Sequence, residues 1–182
     1  MGLRNRNQFK DKICFFVTTT CHHWICFLGT VKRKLIVAES LNFVQKKYNI
    51  SILGYVIMPN HIHLLLYFNI DNKLSDAMRD LKKYTSTHIR KDIEASGDHS
   101  LFEKLKLDNG PHVFKVWQDR FDDVWIGDRK ILETKLDYIH FNPLQAHWNL
   151  VKEPEEYIFS SASFYNQNNN TPVFITDYRN YF

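Results

Sequence analysis

Apolar and polar residues alternate or recur along the chain at two distinct periods, and the elements follow from them. Ile13-Cys-Phe-Phe-Val-Thr-Thr-Thr20 is rich in β-branched and aromatic residues and predicts a first strand. Lys32 to Tyr48 places Val37, Leu41, Val44 and Tyr48 at helical spacing. Ile50 to Met58 reads as a second strand, Pro59-Asn60 as a turn, and His61 to Phe68 as a third strand antiparallel to the second. After a loop at Asp71-Asn-Lys73, Ser75 to about Ala95 predicts a long amphipathic helix with Ser75 as its cap. Its buried stripe is expected to be Ala77, Met78, Leu81, Tyr84, His88 and Ile89, with Leu74 leading in. Residues 97–112 read as a polar loop, and Val113 to Trp117 as a fourth strand. Lys130 to Phe141 predicts a third helix, which Pro143 ends close to Asn142. The tail from Glu153 to Phe182 has no sustained period.

Strand, helix, strand, strand, helix, strand is the split βαβ order. It predicts an α+β, ferredoxin-like antiparallel sheet with helices on one face, plus a C-terminal helix beyond it. A chain of 182 residues fits one domain. The expected core spans about residues 10–150, with a C-terminal extension over about 151–182.

Composition narrows the functional classes. With 44% hydrophobic residues the chain can fill a core, and no apolar run approaches the ~20 residues that span a bilayer. The basic N-terminus lacks an apolar signal core, so a cytoplasmic location is the default expectation. A net charge of +4 permits nucleic-acid binding without requiring it. The three cysteines, Cys14, Cys21 and Cys26, are too few for a disulfide framework. A zinc reading of Cys21-His22-His23-Trp-Ile-Cys26 lacks a second ligand pair at finger spacing. These cysteines are read instead as small apolar residues on or near an edge strand.

The chemistry begins with His61-Ile62-His63. On a strand both imidazoles share one face, about 7 Å apart along the chain, and can converge on one divalent ion. Ile62 and Leu64 share the other face, toward a core. A solvent-facing polar pair would give the same pattern, so spacing alone leaves both readings open. A histidine-triad hydrolase would need a third alternating histidine where Leu65 stands, and Leu64 and Leu65 exclude a His-x-Thr phosphoesterase motif.

A further ligand and a nucleophile are candidates in Leu136-Asp-Tyr-Ile-His-Phe-Asn-Pro-Leu144. Tyr138 and Asn142 are i and i+4, so they stack on one helix face, expected to point away from the buried stripe of Leu132, Leu136 and Ile139. A carboxamide oxygen is a fair ligand for a hard metal. A phenol, which ordinarily titrates near ~10, needs a base or a polarised phosphate to attack at neutral pH.

With these residues in place, the chain resembles the single-tyrosine HUH transposases of the insertion-sequence type, in particular the REP-associated tyrosine transposases. The resemblance rests on Tyr55-Val-Ile-Met-Pro-Asn-His-Ile-His-Leu-Leu-Leu66, on Trp117-Gln-Asp-Arg-Phe121, and on Asp137-Tyr-Ile-His-Phe-Asn-Pro-Leu144 followed by Pro154-Glu-Glu-Tyr-Ile-Phe-Ser-Ser161. It implies a ferredoxin-like fold and metal-dependent cleavage and rejoining of single-stranded DNA through a 5′-phosphotyrosine. It assigns metal ligation, of Mg2+ or Mn2+, to His61, His63 and Asn142, and the nucleophile to Tyr138. It implies single-stranded or hairpin DNA as partner. It leaves open a homodimer that exchanges the tyrosine helix, or a monomer. One departure is local: the family usually places a basic residue and a glycine after Asn-Pro, where this chain has Leu144-Gln-Ala-His147-Trp148.

DNA contacts are expected from a basic row on the long helix. Arg79, Lys82, Lys83 and Arg90 fall within about a 100° sector opposite the apolar stripe. Arg120 is a further candidate, and Tyr84 and Trp117 are either base-stacking or core residues. Two competing classes remain in the sequence. One is a catalytically silent, sequence-specific DNA-binding protein of the same fold. The other is a metal-dependent RNA or nucleotide hydrolase.

Overall fold

The computed structural model describes residues 13–107, 113–167 and 170–182. The basic N-terminus and residues 108–112 of the expected polar loop lie outside them. Strands β1 (Cys14–Thr20), β2 (Ile50–Ile57), β3 (His61–Phe68) and β4 (Asp122–Trp125) form one sheet in the order β2-β3-β1-β4. Every neighbouring pair is antiparallel. This is the ferredoxin-like arrangement expected from the element order.

Helices α1 (Val31–Tyr48) and α2 (Leu74–Ala95) cover one face. Leu41 and Val44 of α1 and Ala77, Met78 and Leu81 of α2 meet Ile50, Ile52, Leu64 and Leu66 there. Helix α4 (Arg129–Phe141) packs on the opposite face, against β2 and β3. Because both faces are covered, β1 and β3 are buried at nearly every position. Alternation along β3 therefore sorts residues between two interiors, not between core and water. Ile62, Leu64 and Leu66 go to α1 and α2, while His61, His63 and Leu65 go to the α4 side.

Several expectations are corrected. Val113–Trp117 is not a sheet strand. It makes only isolated bridges, Lys106 with Phe114 and Cys21 with Trp117, and crosses the end of the sheet. The fourth strand is the exposed Asp122–Trp125, held beside β1 in the register Thr18 with Asp122 and Phe15 with Trp125. An edge strand faces solvent on one side and needs no apolar run. Consequently β1, with Cys14 in it, lies inside the sheet and not at its edge. The polar loop contains a short helix, α3 (His99–Glu103), capped by Asp98, whose Oδ1 accepts from Leu101 N at 2.9 Å.

Helix α2 begins one residue before Ser75. Lys73 occupies the cap position, and Asn72 Oδ1 accepts from Leu74 N at 3.1 Å. Its buried residues are Leu74, Ala77, Met78, Leu81, Thr85, Ile89 and Ile93. Tyr84 is 47% exposed, and its ring stacks on His88 at 3.9 Å, beside the stripe and not within it. Thr85 takes the buried place because its hydroxyl is satisfied twice: it donates to Leu81 O at 2.7 Å and accepts from Trp117 Nε1 at 2.9 Å.

The tail lies along β2. Ile57 N donates to Phe159 O, Ser161 N to Tyr55 O and Thr176 N to Ile52 O. Tyr157 Oη donates to Ile57 O at 2.8 Å, and Tyr165 Oη to Leu53 O at 2.7 Å. These bonds occupy backbone groups that an edge strand would otherwise leave open. They also bring Ser161 under α4.

Candidate active site

His61 and His63 project from β3 toward α4 and are 7% and 4% exposed. Their ring centroids are 4.7 Å apart. His61 Nδ1 lies 2.7 Å from Asn60 Oδ1, and His63 Nδ1 lies 2.8 Å from Thr18 Oγ1 across the β1–β3 register. Burial lowers both rings from the usual 6.5. His61 falls to about 4, with the Asn142 carboxamide opposing the shift and His147 adding to it. His63 falls to about 3, through burial first and then through His61 and Lys135. Both are therefore neutral imidazoles at pH 7, the form in which histidine binds a metal.

Helix α4 starts at Asp128, whose side chain accepts from Ile131 N at 2.9 Å. Leu132, Leu136 and Ile139 are buried, as their spacing requires. Two features bring the helix close to the sheet. Gly54 lies under Leu136, where a Cβ would stand 2.6 Å from Leu136 Cδ1. His140 Nε2 lies 2.9 Å from Ser161 Oγ, which in turn accepts from Tyr55 N at 3.1 Å. Burial lowers His140 to about 4.

This docking sets Tyr138 beside the histidines. Its ring centroid is 5.1 Å from that of His63 and 6.0 Å from that of Phe16, which itself stacks on His63 at 5.3 Å. Tyr138 remains 44% exposed. Asn142 departs from the expected outward position: it is 2% exposed, at the C-terminal end of α4 where a 3₁₀ turn, Asn142–Leu144, begins. The pair straddles the helix boundary of the site, one side chain open and one enclosed. His63 Nε2 and Asn142 Oδ1 are buried and meet no partner in full hydrogen-bond geometry among the described residues, although the Asn142 side chain interacts with the His61 ring. Leaving such atoms bare costs about 1–3 kcal/mol each unless a ligand meets them. Two neutral imidazoles and a carboxamide oxygen are a donor set that suits a divalent cation.

Several neighbours lie beyond what the sequence pointed to. Lys135, one turn before Tyr138, is half-buried with its Nζ 4.8 Å from the Phe16 ring centroid. Its i−3 spacing from Tyr138 was the only available signal. Trp24 and Trp148 flank His61 at 6.3 and 6.1 Å between centroids. Trp148 comes from the Leu144–Trp148 departure, so that segment contributes to the site wall.

The expected basic row is only partly available. It lies on α2, across the sheet from the histidines. Arg79 pairs with Asp76 at 2.7 Å, and Arg90 pairs with Glu94 at 3.2 Å and covers the Phe114 ring. Lys82 Nζ donates to Gln118 O at 2.6 Å and Asp119 O at 3.0 Å, an internal strut. Lys83 and Arg120 are exposed. Arg120 lies two residues after Gln118, whose N donates to Thr20 O, and directly after Asp119, whose carbonyl Lys82 engages. Trp117 is core, 3% exposed.

Among the described residues no three histidine, cysteine, aspartate or glutamate side chains gather as a metal site. Cys21 is buried, with its thiol shifted well upward by that burial, whereas Cys26 is exposed. The His22 and His23 rings lie 3.9 Å apart between centroids, tilted by 50°.

A ferredoxin-like sheet that presents paired histidines to a tyrosine-bearing helix defines the class. Residues 15–142 match the family described as IS200-like transposases, and the chain belongs to that family. Its fold matches a REP-associated tyrosine transposase bound to a REP hairpin, with a TM-score of 0.66 at 22% identity over 97% of this chain and 93% of that one. A putative transposase from Deinococcus radiodurans R1 aligns at a TM-score of 0.40 and 14% identity, over 76% of this chain and 95% of that one. No curated protein gives a significant match. Among the described residues no helix is long and apolar enough to cross a membrane.

Proposed function

We propose that this transposase-family chain cleaves and rejoins single-stranded DNA beside hairpins, with Tyr138 as nucleophile and Mg2+ or Mn2+ held by His61, His63 and Asn142. The observation that carries this reading is the pair of buried ligand atoms without a partner in full hydrogen-bond geometry, His63 Nε2 and Asn142 Oδ1, in a site whose wall includes the Tyr138 ring. The structural relative bound to a REP hairpin supports hairpin DNA as the substrate class. A DNA substrate also agrees with the cytoplasmic location expected from the sequence.

When bound, the divalent ion would neutralise charge on the scissile phosphate and favour in-line attack. The chain's own residues do the rest. Tyr138 is open to solvent, so its phenolic proton passes to water as the oxygen attacks phosphorus. The Tyr138 Oη–P bond forms, the P–O3′ bond breaks, and the departing 3′-oxygen takes up a proton. Lys135 lies beside Phe16 and offers an ammonium to the phosphate oxygens. Attack by another 3′-OH reverses the step with no external energy source, because the phosphotyrosine conserves the bond. Arg120 and Lys83 contribute backbone contacts, and Arg79, Lys82 and Arg90 contribute only as far as their internal partners release them. One chain supplies all four site residues, so a monomer suffices and a homodimer is not needed to complete the site.

Strand cleavage of labelled hairpin DNA with and without Mg2+ or Mn2+ tests this. Wild-type protein should cut only with the ion, and Tyr138→Phe should bind DNA without cutting. Cutting by Tyr138→Phe would remove the nucleophile assignment. Binding without cutting by wild-type protein would favour the silent DNA-binding reading.

A further inference from the structure

The turn Met58-Pro59-Asn60 before the histidines has no role so far, yet Asn60 is only 8% exposed and every polar group of its side chain is engaged. Asn60 Nδ2 donates to Trp24 O at 3.0 Å, and Asn60 Oδ1 lies 2.7 Å from His61 Nδ1. Its backbone is held as well: Asn60 O accepts from Cys21 N at 2.7 Å.

The Asn142 carboxamide also interacts with the His61 ring, and the short contacts of Asn60 decide which ring nitrogen carries the single proton. A backbone carbonyl can only accept, so the amide nitrogen of Asn60 must face Trp24. The amide oxygen then faces His61, and an amide oxygen carries no proton. The hydrogen in that short contact must therefore sit on His61 Nδ1. A neutral imidazole has a single N–H, so Nε2 is left with its lone pair. His63 differs, because its partner, the Thr18 hydroxyl, can either donate or accept.

The Trp24 carbonyl is presented by an unusual backbone. His23 and Trp24 both adopt positive φ, 51° and 59°, although neither is glycine. A Cβ disfavours this left-handed region because it crowds the neighbouring carbonyl oxygen. Strain of this kind persists where surrounding contacts over-determine the conformation, which is the case for a carbonyl aimed at a buried amide.

We propose that Asn60, anchored by the Trp24 carbonyl, is a positioning residue that holds the His61 proton on Nδ1 and keeps Nε2 free for the divalent ion. This rests on the metal reading given above. Asn60 itself touches neither metal nor DNA. Groups placed in this way behind a ligating histidine typically change metal affinity roughly 10–100-fold when removed.

The test combines two readouts on the full chain. The first is the 15N and 1H spectrum of the histidine rings at pH 7 without metal, which reports which nitrogen carries the proton. The second is titration with Mn2+. Wild-type His61 should show the proton on Nδ1. Asn60→Ala should mix the tautomers and weaken Mn2+ binding by roughly 10–100-fold. Asn60→Asp, which keeps an acceptor for His61 but loses the donor to Trp24 O, should keep the Nδ1–H tautomer while recovering only part of the affinity. Wild-type protein that binds Mn2+ with the His61 proton on Nε2 overturns the inference alone, as does Asn60→Ala with an unchanged tautomer. Wild-type protein with the stated tautomer but no Mn2+ binding overturns the metal reading, and with it the purpose assigned to Asn60.

Discussion

Burial makes His61, His63 and His140 neutral at pH 7, and the same burial ties the stability of the site to pH. All three are lowered from 6.5, to about 4, about 3 and about 4. Below 6.5 the unfolded chain takes up protons at these positions while the folded chain does not. The stabilisation is thus complete above 6.5 and is lost as the pH falls toward 4, at up to about 1.4 kcal/mol per pH unit for each ring. The urea midpoint of metal-free protein should drop between pH 7 and pH 5. A flat profile over that window would mean that the rings are hydrated. Lys135 gives a second expectation. If its ammonium meets the phosphate, Lys135→Gln should slow adduct formation about 10- to 100-fold, the equivalent of a charge-assisted hydrogen bond of ~1.5–3 kcal/mol, while Mn2+ affinity holds. An unchanged rate would return Lys135 to its packing role over Phe16. The residues legible in the sequence were those with a local period: His61 and His63 at strand spacing, Tyr138 and Asn142 at helix spacing. Thr18, Asn60, Trp24 and Trp148 reach the site through sheet register and turns, which no local period encodes. Even Asn142 was read with the wrong exposure, because its burial depends on the sheet that α4 covers.

At the scale of elements, the decisive packing is α4 on β2. Gly54 and the His140–Ser161–Tyr55 hydrogen bonds set how close the helix comes. Gly54→Val should force Leu136 aside, destabilise the protein by about 1–3 kcal/mol, and reduce DNA cleavage more than DNA binding by moving Tyr138 from the histidines. Equal losses in binding and cleavage would instead indicate general unfolding. Strands β1 to β3 and helices α1, α2 and α4 were legible because each carries a sustained apolar period. The fourth strand was not. Asp122–Trp125 is exposed throughout and owes its place to an open edge beside β1, while the apolar Val113–Trp117 serves the core through Trp117 and never joins the sheet. Lys82 shows the same limit for charge patterns. A helix projection gives its direction, but the carbonyls of Gln118 and Asp119 that engage it come from a distant segment.

At the scale of the molecule, the sheet separates two tasks. Its α1–α2 face is packed with apolar side chains, and its α4 face holds the candidate site residues. All four proposed site residues lie on one chain, so mixing Tyr138→Phe protein with His61→Ala/His63→Ala protein should not restore cleavage. Restored cleavage would show that α4 is exchanged between copies. The central claim is that Tyr138 becomes covalently linked to DNA, and mass spectrometry of the protein after reaction with hairpin DNA and Mn2+ measures this directly. A nucleotide-bearing peptide carrying its 5′-phosphate on Tyr138 is the expected result. DNA cleaved with no covalent peptide, or with the adduct on another residue, would contradict it.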